Sequence, residues 1–296
     1  MSDKSIRQKL TGVFTALVSP MKNDKVDLPA FEAHLDRQLE AGVSGISPIG
    51  TTGEASTLSD SEAEALIAAT VKRAAGRAFV MVGTGANSTR VAIEKAKRAA
   101  DLGANGVLVV VPYYNKPTQA GIIGHFAAVA QAVSIPVMLY NVPGRTGVDL
   151  SVDSCVKLFR EVPNIAGIKE ASGRIERIAE LRLACGDEVA IFTGDDNLCL
   201  PALAIGADGV YSVASNIIPG EMRALCDAWD DGRPQDALAL YRRIYRLLED
   251  LFVESNPVPV KAALAQRGFM QPDVRAPLAQ LSAQNWKRLE QTLGQL

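Results

Sequence analysis

Lys169 closes the apolar run Ile165-Ala166-Gly167-Ile168 and is the residue best placed by type and position for covalent chemistry. An ammonium is costly to strip of water there, so burial favours the free amine, which can attack a ketone and form an imine. The competing reading is a lysine that lies along apolar surface with its head in water, or one paired with Glu170. Tyr140 ends another apolar run and can serve the proton transfers of imine chemistry if the hydroxyls of Thr51 and Tyr114 relay for it. A tyrosine that merely packs the end of a strand is the alternative. Gly50-Thr51-Thr52-Gly53 offers backbone N–H groups and two hydroxyls to a small carboxylate, and also reads as a plain strand–helix turn. Arg145 can present a two-pronged fork to a second carboxylate, or can be a solvated loop arginine.

These residues need a frame that brings distant segments to one place. Short apolar runs at Val13–Val18, Gly45–Pro48, Ala78–Gly83, Gly106–Val111, Val137–Tyr140, Ile165–Lys169, Val189–Thr193 and Gly209–Val213 read as strands covered on both faces. Between them lie amphipathic stretches at Leu28–Ala41, Asp60–Ala75, Thr89–Leu102, Thr118–Val133 and Val152–Phe159. Ser59-Asp60-Ser61-Glu62 has the pattern of a capping box, and Gly103 and Gly186 sit where left-handed helix ends are expected. Eight strands alternating with helices predict an α/β fold, a (β/α)8 TIM barrel, with an open doubly wound sheet as the alternative. The barrel is expected over residues 1–230. Helices at Gly220–Asp230, Pro234–Val253, Val258–Gly268 and Ala283–Leu293 give the last barrel helix and a C-terminal helical extension over 231–296.

In such a barrel the loops after the strands converge on one face. Seven consecutive strand ends carry polar groups: Thr51-Thr52-Gly53-Glu54, Thr84-Gly85-Ala86-Asn87, Tyr113-Tyr114-Asn115, Tyr140-Asn141 with Arg145, Lys169-Glu170, Gly194-Asp195-Asp196 and Tyr211-Ser212.

Composition excludes several classes. With 296 residues, a formal net charge of −2 and 5% aromatic residues, the chain has no basic field for nucleic acid or an anionic membrane. Its two histidines, His34 and His125, have no ligand-spaced companions, so no metal is expected, and Gly83-Thr84-Gly85 has Ser88 at the third glycine position of a dinucleotide pattern, so no cofactor is expected either. The four cysteines at 155, 185, 199 and 226 are too far apart for a CxxC pair and read as packing residues in a reducing compartment. The charged stretch MSDKSIRQKL lacks the apolar run of a signal peptide, and no apolar segment is long enough to span a membrane. A cytoplasmic protein is expected.

Taken in order, these blocks resemble the dihydrodipicolinate synthase family of pyruvate-dependent aldolases. The resemblance rests on Gly50-Thr51-Thr52-Gly53-Glu54, Gly83-Thr84-Gly85-Ala86-Asn87, Pro112 to Thr118, Tyr140 to Gly147 and Gly167-Ile168-Lys169-Glu170-Ala171. Gly194-Asp195-Asp196 and Asn256-Pro257-Val258-Pro259-Val260-Lys261 extend it over nearly the whole chain. It implies a class I aldolase-type lyase that condenses pyruvate with L-aspartate 4-semialdehyde in the diaminopimelate route to lysine. Lys169 would form the Schiff base and Tyr140 would move protons through Thr51 and a Tyr114 supplied by a partner subunit. Thr52 would hold the pyruvate carboxylate and Arg145 that of the semialdehyde. Gly194 would line the substrate site, and Tyr211 stands where the family contributes a pyruvate-site backbone carbonyl from a small aliphatic residue. A homotetramer is the implied assembly.

The tyrosine, the lysine and the Gly-Thr-Thr-Gly-Glu block are shared with sugar-acid and hydroxy-oxo-acid aldolases, which are the alternative. Arg145-Thr146 favours the short acidic aldehyde. A silent barrel that senses pyruvate and a metal-dependent aldolase are further rivals, the first disfavoured by Lys169 with Tyr140 and the second by the lack of a ligand cluster. Asn87 and Tyr113 match the family's lysine-feedback site, while Asp60, Ala63 and Val91 stand where a histidine and a glutamate are usual. Weak or absent inhibition by lysine is expected.

Overall fold

A computed structural model describes residues 4–296. The first three residues of the charged N-terminal stretch lie outside the described residues.

Eight strands form a closed barrel: β1 (Gly12–Ala16), β2 (Gly45–Ser47), β3 (Phe79–Gly83), β4 (Gly106–Val110), β5 (Val137–Asn141), β6 (Ile165–Glu170), β7 (Ala190–Thr193) and β8 (Gly209–Ser212), in the order β1-β8-β7-β6-β5-β4-β3-β2. Each barrel strand neighbours its sequence neighbour, as right-handed βα units require. Helices Leu28–Ala41, Asp60–Ala74, Thr89–Asp101, Gln119–Gln131, Val152–Glu161, Glu176–Cys185, Cys199–Ala204 and Pro219–Asp230 follow strands β1 to β8 in turn. Pro234–Asp250, Val258–Gln266 and Ala283–Leu293 complete the chain. The strands are apolar on both faces because a parallel sheet is covered on both, and β5 is buried at every position.

Local signals act as the sequence suggests. Ser59 and Glu62 form a reciprocal capping box, the Ser59 hydroxyl accepting from the Glu62 amide and the Glu62 carboxylate from the Ser59 amide. Leu28–Ala41 ends on Gly42 in the left-handed conformation. Gly186 has a positive φ of 62°, but its ψ of −148° takes it out of the left-handed helical region expected there. The helix expected over Pro234–Val253 stops at Asp250, and the chain between Gln266 and Ala283 is not helical. A two-stranded hairpin, Met21–Lys22 with Lys25–Val26, precedes the first helix. Its turn residues Asn23 and Asp24 both have positive φ, the geometry that suits tight hairpins.

The chain divides into two compact units. One comprises residues up to Thr11 with Phe79–Tyr211, the other Gly12–Ala78 with Ser212–Leu296. The first is built on β3 to β7 and most of β8. The second carries β1, β2 and the C-terminal helices.

Candidate active site

In the unit spanning Phe79–Tyr211, the register of β5 and β6 sets the chemistry. Val137 pairs with Ile165 but Met138 pairs with Gly167, so a bulge inserts one residue at Ala166. Such a bulge re-aims side chains, and here it brings Tyr140 directly opposite Lys169. Lys169 is buried, with its amine 4.2 Å from the centroid of the Tyr140 ring and 5.2 Å from that of Tyr211. Both distances lie within reach of a cation–π contact.

Glu170 does not pair with this lysine. Successive strand residues point to opposite faces, so Glu170 leaves β6 on the helix side. There it accepts hydrogen bonds from Arg177 at 3.2 Å, from the Asn141 amide at 3.0 Å and from the Ser172 backbone at 2.8 Å. The ion-paired alternative for Lys169 and Glu170 therefore falls. The acid that does feel Lys169 is Asp195, on the loop after β7. Burial lifts its carboxyl above the usual range, while the Lys169 charge and a hydrogen bond from the Gly173 backbone oppose that lift.

Gly194 makes room for the lysine stem. A Cβ there would lie 2.8 Å from Lys169 Cε and 2.6 Å from Ala171 Cβ, closer than atoms pack. Tyr211 is fully buried and meets Phe192 edge to face at 5.1 Å between ring centroids. Burial pushes its phenol well above the ordinary value. The large ring at this position is thus accommodated inside the barrel wall, between Phe192 and the lysine amine. Arg145 stands exposed on a single turn, Pro143–Thr146, anchored by the Thr146 hydroxyl donating to the Val148 carbonyl at 2.8 Å. Tyr114 is 87% exposed on a loop in which both it and Lys116 have positive φ.

Thr51 and Thr52 belong to the other unit. Thr51 is half-buried and Thr52 is buried. The loop is held from several sides. Ser19 donates to the Gly53 carbonyl at 2.8 Å, and a Cβ at Gly53 would press to 2.9 Å from the Ile49 amide nitrogen. The Asn256 amide donates to the Thr52 hydroxyl at 2.9 Å. Lys261, fully buried, donates to Glu54 Oε1 at 2.5 Å, and the Arg275 backbone donates to Glu54 Oε2 at 2.9 Å.

Asn256, Lys261 and Arg275 carry no assigned role in the sequence reading, although the first two fall in a quoted motif. The available signal was a single cation, Lys261, within the apolar run of the helix Val258–Gln266, which calls for a buried anion. Among the described residues, no group of three or more His, Cys, Asp or Glu side chains is arranged to hold a metal ion.

The family model described as "Dihydrodipicolinate synthetase family" matches residues 9–296. The 4-hydroxy-tetrahydrodipicolinate synthase of Oleidesulfovibrio alaskensis is 41% identical over 286 residues, covering 97% of this chain and 98% of that protein. The solved structure of the synthase from Methylacidiphilum fumariolicum SolV superposes with a TM-score of 0.95 at 44% identity, over 96% of this chain and 95% of that one. That of the chloride-inhibited dihydrodipicolinate synthase from Acinetobacter baumannii, complexed with pyruvate, gives 0.94 at 44% identity, over 97% and 98%.

Proposed function

Because the chain belongs to the dihydrodipicolinate synthetase family and is a lyase of the class I aldolase type, we propose that it works as a 4-hydroxy-tetrahydrodipicolinate synthase through a Schiff base on Lys169. The observation that carries the mechanism is the buried Lys169 amine facing Tyr140 with Glu170 engaged elsewhere.

The Lys169 amine attacks C2 of pyruvate, and loss of water from the carbinolamine leaves an iminium. Removal of a C3 proton gives the enamine, whose C3 attacks the aldehyde carbon of L-aspartate 4-semialdehyde, the new alkoxide taking up a proton. The amino group of the condensed product then adds to the iminium carbon, closes the ring and expels Lys169 as the free amine. Tyr140 moves these protons, with Thr51 and Tyr114 as relay. Thr52 receives the pyruvate carboxylate, supported by the loop amides. Tyr211 contributes its backbone carbonyl beside Gly194, and Arg145 takes the semialdehyde carboxylate, for which an exposed guanidinium on a fixed turn is suited. The pyruvate complex of the Acinetobacter baumannii relative supports the first substrate.

A homotetramer fits the exposure of Tyr114, which as a relay member needs cover from a partner subunit. No helix among the described residues is long and apolar enough to cross a membrane, and a biosynthetic role fits the cytoplasm. Weak or absent inhibition by lysine follows from Asp60, Ala63 and Val91.

Purified protein supplied with pyruvate and one aldehyde at a time tests the acceptor. Turnover is expected with L-aspartate 4-semialdehyde and not with N-acetylmannosamine or glyceraldehyde. Preferential turnover of a sugar aldehyde would replace this reading with that of a sugar-acid aldolase.

A further inference from the structure

No reacting group lies beyond Tyr211, yet the chain from Asn256 to Arg275 sends three polar groups onto the Thr51-Thr52 loop. Lys261 is fully buried in the helix Val258–Gln266, where its neighbours are valine, proline, alanine and leucine. Its only strong partner among the described residues is Glu54, itself buried, at 2.5 Å. Replacing a buried ion pair by apolar residues is often neutral or stabilising, so the pair is better explained by the geometry it imposes than by stability.

That geometry is unusual. Ile49 and Glu54 bracket the loop, and both have positive φ, 48° and 54°. A β-branched residue in the left-handed region is strained, and such strain persists only where the surroundings over-determine the backbone. Glu54 is fixed at both carboxylate oxygens, by Lys261 and by the Arg275 backbone. Arg275 in turn donates to the Thr57 carbonyl at 2.8 Å and grips Glu62 at 2.7 and 2.5 Å, fixing the chain that leaves the loop.

The Thr52 contact carries a chemical direction. A hydroxyl has one donor and two acceptor positions. The Asn256 amide occupies an acceptor position of Thr52. That contact leaves the Thr52 proton uncommitted to Asn256, so the hydroxyl can be offered as a donor to an anionic ligand.

We propose that Asn256 and the buried Glu54–Lys261 pair are positioning residues for the 2-oxo acid: they hold the Thr51-Thr52 loop and present the Thr52 hydroxyl as a donor to the substrate carboxylate. The inference rests on the pyruvate reading of the site.

The test compares the unaltered protein with Asn256→Ala and with the double variant Glu54→Gln/Lys261→Met, which removes both charges together. The readouts are the pyruvate concentration giving half-maximal borohydride-trapped adduct on Lys169, the KM for each substrate, and the melting temperature. In both variants half-saturating pyruvate should rise about 10-fold, as loss of an oriented hydrogen bond to a charged group implies, while the KM of the aldehyde partner moves much less. An unchanged half-saturation in folded Asn256→Ala would overturn the proposal. Equal rises for both substrates, the mark of a general structural role, would overturn it too. Should the double variant not fold, Asn256→Ala decides alone. Absence of an adduct in the unaltered protein would instead remove the pyruvate reading, and the positioning role with it.

Discussion

The molecule buries two lysines in two different ways. Lys261 sits inside an apolar helix and is neutralised by Glu54 at 2.5 Å. Desolvation is the largest influence on it and lowers its proton affinity, and the Glu54 charge and hydrogen bond push the other way. Lys169 is the penultimate residue of β6, has no ion pair among the described residues, and faces two aromatic rings. The Lys261 nitrogen is committed to the Glu54 carboxylate as a hydrogen-bond donor. The Lys169 nitrogen faces rings and is tied up in no ion pair among the described residues, which leaves it open to a carbonyl carbon. The contrast teaches that burial alone does not mark a reactive lysine; the identity of what faces the nitrogen does.

The sharpest way to break this comparison is to remove each nitrogen in turn. Lys261→Met leaves the buried Glu54 carboxylate without its counter-charge and with only the Arg275 backbone amide as partner, so about 3–5 kcal/mol of stability should be lost, read by denaturant unfolding. Lys169→Met breaks no ion pair and removes only the longer-range charge that Asp195 feels, so it should cost less, under about 1.5 kcal/mol. Equal losses would show that the two lysines are held alike.

A smaller effect is expected from Gly194→Ala. The added methyl group must displace the Lys169 stem or Ala171. A misplacement near 1 Å at a reacting group costs on the order of 100-fold, so kcat/KM should fall about 10- to 100-fold while the protein still folds. Wild-type turnover would mean that the lysine tolerates displacement.

The smallest effect concerns the clamp around the threonine loop. Hydrogen bonding from Arg275 holds the Glu62 carboxyl at about 2, below its ordinary value of 4.5. The folded protein thus binds this proton less readily than the unfolded chain. The contribution to stability is complete above about pH 4.5 and is lost as pH falls towards 2. Glu62→Gln should lower the melting temperature most near pH 7 to 8, where the contribution is complete, and the gap to the unaltered protein should close as pH falls through that window. Parallel curves for the two proteins would show that the clamp adds nothing.

The strands were legible because a parallel sheet covered on both faces leaves unbroken apolar runs, and the helix Leu28–Ala41 was legible to its ends because Gly42 closes it. Lys169 and Tyr140 were legible as candidates because each is polar at the end of such a run. Their direct opposition was not, since it depends on the bulge between Val137 and Met138 in the pairing with β6. The hairpin at Met21–Val26 has two residues per strand, too few for a periodic signal. The Glu54–Lys261 pair joins residues 207 apart in sequence, and only folding reveals a contact of that span.

The most direct test of the central claim is to treat the protein with pyruvate and borohydride and map the product by peptide mass spectrometry. A reduced pyruvyl adduct on Lys169, lost when L-aspartate 4-semialdehyde is added first and absent from Lys169→Met, is the predicted result. No adduct, or an adduct on Lys261 or another lysine in its place, would contradict it.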